Sequence, residues 1–217
     1  MQISNKQPYA FTHQEIKEAL QTAMERLFEQ DEDLIVWQGS ERAQVHWIAI
    51  YFDEEIRKTN TYLTLEKDQQ ERLKVDVEYN RYSVGVKSVK RIEDVCAYCE
   101  KKQNGIPCRQ FDDRHKNIEL GEYGCITVDM VFHIRGEQEA NIFCLEVKPY
   151  GTGRPLECDQ IRVRLLVKNE EDEEKHKPQY RFGAAVHFEG KSEASCVFYE
   201  DGQKDERFKI ISKQTKQ

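Results

Sequence analysis

The sequence predicts a mixed α/β fold, a central sheet with helices on its faces. Three observations carry that expectation: apolar stripes at helical spacing open the chain, five later segments read as strands, and a single helical stripe separates the third strand from the fourth. Strands on either side of a lone helical crossover suit a mixed sheet.

Thr12 followed by Glu15 is a capping-box pattern, and Ile16, Leu20, Met24 and Leu27 or Phe28 form one stripe, so a first helix is expected over about 12–29. Ser40 can cap a second helix with the stripe Val45, Ile48, Phe52 and Ile56, and Glu41 sits in its first turn. In "LKVDVEYNRY", Leu73, Val75, Val77 and Tyr79 alternate with Lys74, Asp76 and Glu78, the period of a half-buried strand. Residues 91–121 are polar and turn-rich and read as an insertion or long loop. "CITVDMVFHI" (125–134) alternates again, with Thr127, Asp129, Val131 and His133 on one side, and "RGEQEAN" turns the chain into "NIFCLEVKPYG" (141–151). Pro155 suits the first turn of a helix carrying Ile161, Leu165 and Leu166, which gives way to the acidic "NEEDEEKHK". "YRFGAAVHFE" and "ASCVFYEDG" close the pattern as two strands.

At 217 residues the chain is expected to be one domain, 1–217, decorated by the 91–121 segment. The N-terminal stretch lacks a basic start followed by an apolar run, and the longest apolar run, WIAIYF, is too short to span a bilayer. A cytoplasmic protein with no membrane partner is the expectation. Seven cysteines with no export signal point to reduced thiols or a metal site rather than a disulfide framework. A net charge of −7 argues against non-specific coating of nucleic acid, although Lys and Arg cluster at 72–91 and near the C-terminus.

The charged pair in "NIFCLEVKPYG" is the feature that composition does not explain. Strand alternation puts Ile142, Cys144, Glu146 and Lys148 on one side and the apolar Phe143, Leu145 and Val147 on the other. If this strand pairs with 125–134 through the short turn, Asp129 comes onto the face of Glu146. Two carboxylates that close repel unless a divalent cation lies between them. Magnesium suits such a pair: it takes one or two protein carboxylates, keeps several waters and completes its octahedron with phosphate oxygens. Lys148 would then hold or polarise an attacking water, or stabilise developing charge.

Asp129, sixteen intervening residues, Glu146-Val147-Lys148 and an upstream helical Glu41 resemble the PD-(D/E)XK nuclease superfamily, the restriction-endonuclease-like fold. Its core of helix, three strands, helix and strand has the order read over about 40–190. "SERAQVHW", "VDVEYNR", "VDMVFHIRG" and "FCLEVKPYG" look like segments of small, stand-alone bacterial members of this superfamily. Val128 stands where the family name has proline, and the cysteine-bearing insertion is no part of the core pattern. The resemblance implies a Mg²⁺- or Mn²⁺-dependent endonuclease acting on DNA. Asp129, Glu146 and the Val147 carbonyl would hold the metal, Lys148 would serve the water, and Glu41 would complete or orient the site. Gln160 occupies the place of a helper glutamine found in some members, and Glu78 and Tyr79 lie at a strand end that can reach the same cleft.

Cys96-X2-Cys99 has knuckle spacing, and Cys108 and His115 are candidates for the other two ligands of a tetrahedral Zn²⁺. Cys125, Cys144, Cys158 and Cys196 are expected to pack as small apolar residues, and His133 to be structural or cleft-lining. Two rival readings stand beside the nuclease. One is a catalytically idle member of the fold that binds a partner protein, a second copy of itself or nucleic acid; the other is a zinc-stabilised interaction protein with its function in 91–121.

Overall fold

Thr12 and Glu15 cap each other at the start of helix α1 (His13–Gln30): the Thr12 hydroxyl accepts from the Glu15 N–H at 3.2 Å, and the Glu15 carboxylate accepts from the Thr12 N–H at 2.9 Å. This reciprocal box satisfies donors that a helix start otherwise leaves orphaned. The computed structural model describes residues 10–36, 40–79, 81–82, 85–86, 88–90, 123–125, 128–135, 141–151, 156–167, 180–200 and 203–211. One face of α1 buries Ile16, Ala19, Leu20, Ala23, Met24, Leu27 and Phe28. Helix α3 (Glu41–Ile56) begins at Ser40, whose hydroxyl accepts from the Ala43 N–H at 3.2 Å, and it buries Val45, Ile48, Ala49, Phe52 and Ile56. Both helices are therefore where the caps and stripes place them. Three short helices were not expected: α2 (Glu32–Val36), α4 (Asn60–Leu63) and α5 (Lys67–Arg72). None of them is long enough to show an apolar period of its own.

Six strands make the main sheet: β1 (Leu73–Tyr79), β6 (Val128–Ile134), β7 (Asn141–Lys148), β8 (Phe182–Phe188), β9 (Glu193–Glu200) and β10 (Gln203–Ile211), in that spatial order. All neighbours are antiparallel except β7 and β8, which run parallel across the connection that contains helix α6 (Leu156–Leu166). A helical crossover is what a parallel pair requires. The fold is thus mixed α/β, with a mostly antiparallel sheet flanked by helices. Among the described residues there are also two small ribbons, β2 (Arg81–Tyr82) with β3 (Gly85–Val86) and β4 (Ser88–Lys90) with β5 (Tyr123–Cys125). The expected strand 125–134 is accordingly divided: Cys125 pairs with Ser88, while the main sheet begins at Val128. Strand β10 was not anticipated. Its "QKDERFKII" carries charges at both parities, as edge strands do, and only Ile210 among its described side chains is buried.

Helices α1 and α3 cover one face of the sheet, where Met130, Phe132 and Ile134 of β6 meet Phe143, Leu145 and Val147 of β7 and the helical stripes. Phe52 joins the layers, stacked on Phe143 at 5.3 Å between centroids and edge-on to Phe132 at 5.9 Å. On the opposite face α6 packs Val163 and Leu166, followed by Val167, against Val131, Cys144, Ala185, Val197 and Tyr199. Of the expected stripe Ile161, Leu165 and Leu166, Leu166 is buried, Ile161 is only half-buried with Val163 buried in its stead, and the Leu165 side chain lies outside the described residues. His133 is buried near this face and meets the Asp76 carboxylate at 2.8 Å, with Arg135 beside it. No helix among the described residues is long and apolar enough to cross a membrane.

Gly183 on β8 sets how closely α6 approaches. A Cβ there would lie 2.5 Å from Val163 Cγ1 and 2.6 Å from Val167 Cγ2, and valine methyls on a stiff branched Cβ have little room to yield. Gly183→Ala is expected to destabilise the fold by about 1–3 kcal/mol through overpacking, measured as a lower urea midpoint at unchanged slope. An unchanged midpoint would mean that α6 sits less firmly on β8 than this contact implies.

Candidate active site

Register brings the two carboxylates together. Met130 pairs with Leu145 and Val131 with Cys144, so the next rung places Asp129 opposite Glu146 on the face that α6 covers. The Val147 N–H donates to Asp129 Oδ2 at 2.7 Å, which ties that side chain across to β7. The Asp129 and Glu146 carboxyls are near enough for each to influence the other's protonation. Glu146 is 1% exposed, and its Oε1 is buried with no hydrogen-bond donor. Parity also puts Lys148 on this face, so the three residues read from the sequence share one side of the sheet.

Helix α6 supplies partners that the sequence reading did not name. Lys148 Nζ donates to Asp159 Oδ2 at 3.0 Å, and both side chains are buried. Arg162 Nη2 donates to Glu146 Oε2 at 2.8 Å and to Asp159 Oδ1 at 2.5 Å. Asp159, Arg162, Val163 and Leu166 follow the i, i+3, i+4, i+7 rule, a stripe in which two positions are charged, and apolar periodicity alone passes over such positions. Gln160, the residue singled out on this helix, is half-buried one step round from Asp159, and no hydrogen bond among the described residues links it to the carboxylates. Glu41 is half-buried at the start of α3, and its charge reaches Asp129. The side chains of Glu78 and Tyr79 lie outside the described residues.

Burial pushes the Asp129 carboxyl up to about 6, with the Glu41 charge adding to the rise and the Val147 N–H and Arg162 opposing it. Burial also pushes Glu146 well above the usual carboxylate range, helped by the Asp129 and Asp159 charges and opposed by Arg162. Two carboxylates that are both ionised repel at this proximity, and a proton or a cation relieves the repulsion.

Such a pair fits a hard divalent cation: all its donors are oxygens, Glu146 Oε1 has an unused lone pair, and Mg²⁺ needs no more than two protein carboxylates. Among the described residues no group of three or more His, Cys, Asp or Glu side chains is disposed to hold a metal ion. Glu41 acts on Asp129 through its charge. Cys96, Cys99, Cys108 and His115 lie outside the described residues. Cys144 and Cys196 are buried in the apolar clusters, packed as expected, and the side chains of Cys125 and Cys158 lie outside the described residues.

A carboxyl whose folded pKa is raised binds its proton more tightly in the folded chain than in the unfolded one. Its stabilising effect is complete below the unfolded value near 4 and is lost as pH rises through the folded value. For Asp129 that window runs from about 4 to about 6, and the loss is about 3 kcal/mol before any solvent relaxation. Cation-free protein should show a thermal midpoint that declines across this window, and Asp129→Asn should flatten the decline. The same slope in that variant would place its source elsewhere.

Compared with protein-family models, with curated proteins and with solved structures, the chain matches none.

Proposed function

We propose that the chain is a Mg²⁺- or Mn²⁺-dependent nuclease that hydrolyses phosphodiester bonds, with DNA as its substrate. One observation carries the reading: Asp129 and Glu146 stand on adjacent strands of one buried sheet face, Glu146 with a donor-free oxygen, and Lys148 follows two residues on along the same face. The order α3, β1, β6, β7, α6, β8 supports it, since it is the helix, three strands, helix and strand that the PD-(D/E)XK resemblance implies.

Asp129 and Glu146 would hold the cation, with the Val147 carbonyl as the further ligand that the resemblance suggests. Bound there, the cation would supply Lewis-acid polarisation of a phosphate oxygen and make water a better nucleophile. The Val147 N–H fixes the Asp129 carboxylate, so that ligand is oriented before any substrate arrives, while Arg162 pairs with one oxygen of Glu146 in the cation-free protein. Lys148, as an ammonium, donates hydrogen bonds; its task is to orient the water and to stabilise the charge that grows on the phosphoryl oxygens. Asp159 holds that ammonium in place. In the overall reaction a water oxygen bonds to phosphorus, a phosphorus–oxygen ester bond breaks, and the leaving oxygen takes up a proton.

A second reading, an idle member of the fold that binds a partner, draws on a specific observation. Lys148 and Glu146 are both buried and already paired with α6, so the charged face is closed upon itself.

Metal-dependent cleavage of supercoiled plasmid and single-stranded DNA, together with Mn²⁺ calorimetry, separates the two. Wild type should cut, and chelator should stop it. Glu146→Gln should lose both Mn²⁺ binding and cleavage, whereas Lys148→Met should keep binding and lose about a hundredfold or more in rate. Wild type that neither binds Mn²⁺ nor cuts either substrate would overturn the nuclease reading in favour of the binding module.

A further inference from the structure

Arg162 holds Glu146 in an incomplete way. A guanidinium built as a permanent clamp on a carboxylate presents two N–H groups in parallel to its two oxygens. Here one nitrogen, Nη2, makes both contacts, to Glu146 Oε2 at 2.8 Å and to Asp159 Oδ1 at 2.5 Å. Arg162 Nε is buried without an acceptor, and Glu146 Oε1 is buried without a donor. Native folds seldom leave two such atoms unmatched within one ion pair. The guanidinium also has a second anchor. Asp159 lies one helical turn before it and already holds Lys148, so Arg162 can release Glu146 without becoming an unpaired buried charge.

We infer that Arg162 is an exchangeable counter-ion of the Asp129–Glu146 pair: it neutralises Glu146 in the cation-free protein and withdraws onto Asp159 when a divalent cation takes that carboxylate. The inference rests on the nuclease reading of the pair and adds to it a device that sets the metal threshold. A site with a resident cation fills only when the divalent concentration exceeds what a bare carboxylate pair would need. Arg162 on this account is a positioning residue, with no contact to substrate required.

Calorimetric titration of Mn²⁺ alone, at mildly alkaline pH, into full-length wild type and Arg162→Gln tests the exchange, with circular dichroism to confirm folding. Loss of the competing charge should tighten Mn²⁺ binding about tenfold or more. A merely structural clamp would lower thermal stability and leave Mn²⁺ affinity equal or weaker, and that result would overturn the inference while the nuclease reading survived. Absence of Mn²⁺ binding in both proteins would instead remove the nuclease reading, and the inference with it. Should Arg162→Gln fail to fold, the wild type still decides. The Arg162 side-chain N–H resonance, assigned by its loss in Arg162→Lys, should shift as Mg²⁺ is titrated, and a resonance that stays fixed while Mg²⁺ binds would overturn the exchange.

Discussion

Four charged side chains, Glu146 and Lys148 from β7 and Asp159 and Arg162 from α6, meet beneath the crossover helix, three of them almost fully buried. Removing one charge from such a cluster strands its partner in a medium of low dielectric, which costs several kcal/mol. The cluster therefore makes the position of α6 and the state of the carboxylates interdependent. Wherever α6 settles on the sheet, it must bring Asp159 to Lys148 and Arg162 to Glu146.

The apolar packing around the cluster meets that demand. Gly183 lets Val163 and Val167 close onto β8, and Phe52, Phe132 and Phe143 lock the opposite helical layer to β6 and β7. Strands β6 and β7 are thus held from both faces, and the rung that joins Asp129 to Glu146 has little freedom to slip. A slip of one residue in either strand would send its own carboxylate into the phenylalanine core. The contrast with Asp76 shows what partners decide. His133 first, and then Arg135, hold the Asp76 carboxyl well below the usual range, while Asp129 on the neighbouring strand is pushed above it because burial and the Glu41 charge outweigh the Val147 N–H and Arg162. Carboxylates on adjoining strands of one sheet thereby take opposite electrostatic states, and Asp129 is the one that holds a proton more readily.

Much of this was legible in the chain because it depends on local rules. The boxes at Thr12 and Ser40, the α1 and α3 stripes and the alternation in β1, β6 and β7 all follow from residue spacing, and spacing also put Glu146 and Lys148 on one face. Helix α6 was legible as an element but not as a surface. Its inner face mixes Val163 and Leu166 with Asp159 and Arg162, and apolar periodicity cannot see a charged residue that is buried because a partner awaits it. Strand β10 escaped for the opposite reason. Among the described residues it lies at the edge of the sheet, paired on one side only, so its composition reads as surface.

Sequence alone determined the mixed α/β class, the order of the principal elements and the alignment of Asp129, Glu146 and Lys148, because periods of 2 and 3.6 residues and capping chemistry act within a few residues of the chain. Tertiary structure alone decided which charges neutralise which. Asp159 and Arg162 lie 13 and 16 residues beyond Glu146, and only the α6 crossover onto the β7–β8 pair brings them to it. Ion pairing over such separations follows distance and burial in three dimensions, and neither is encoded in the spacing of a single helix or strand.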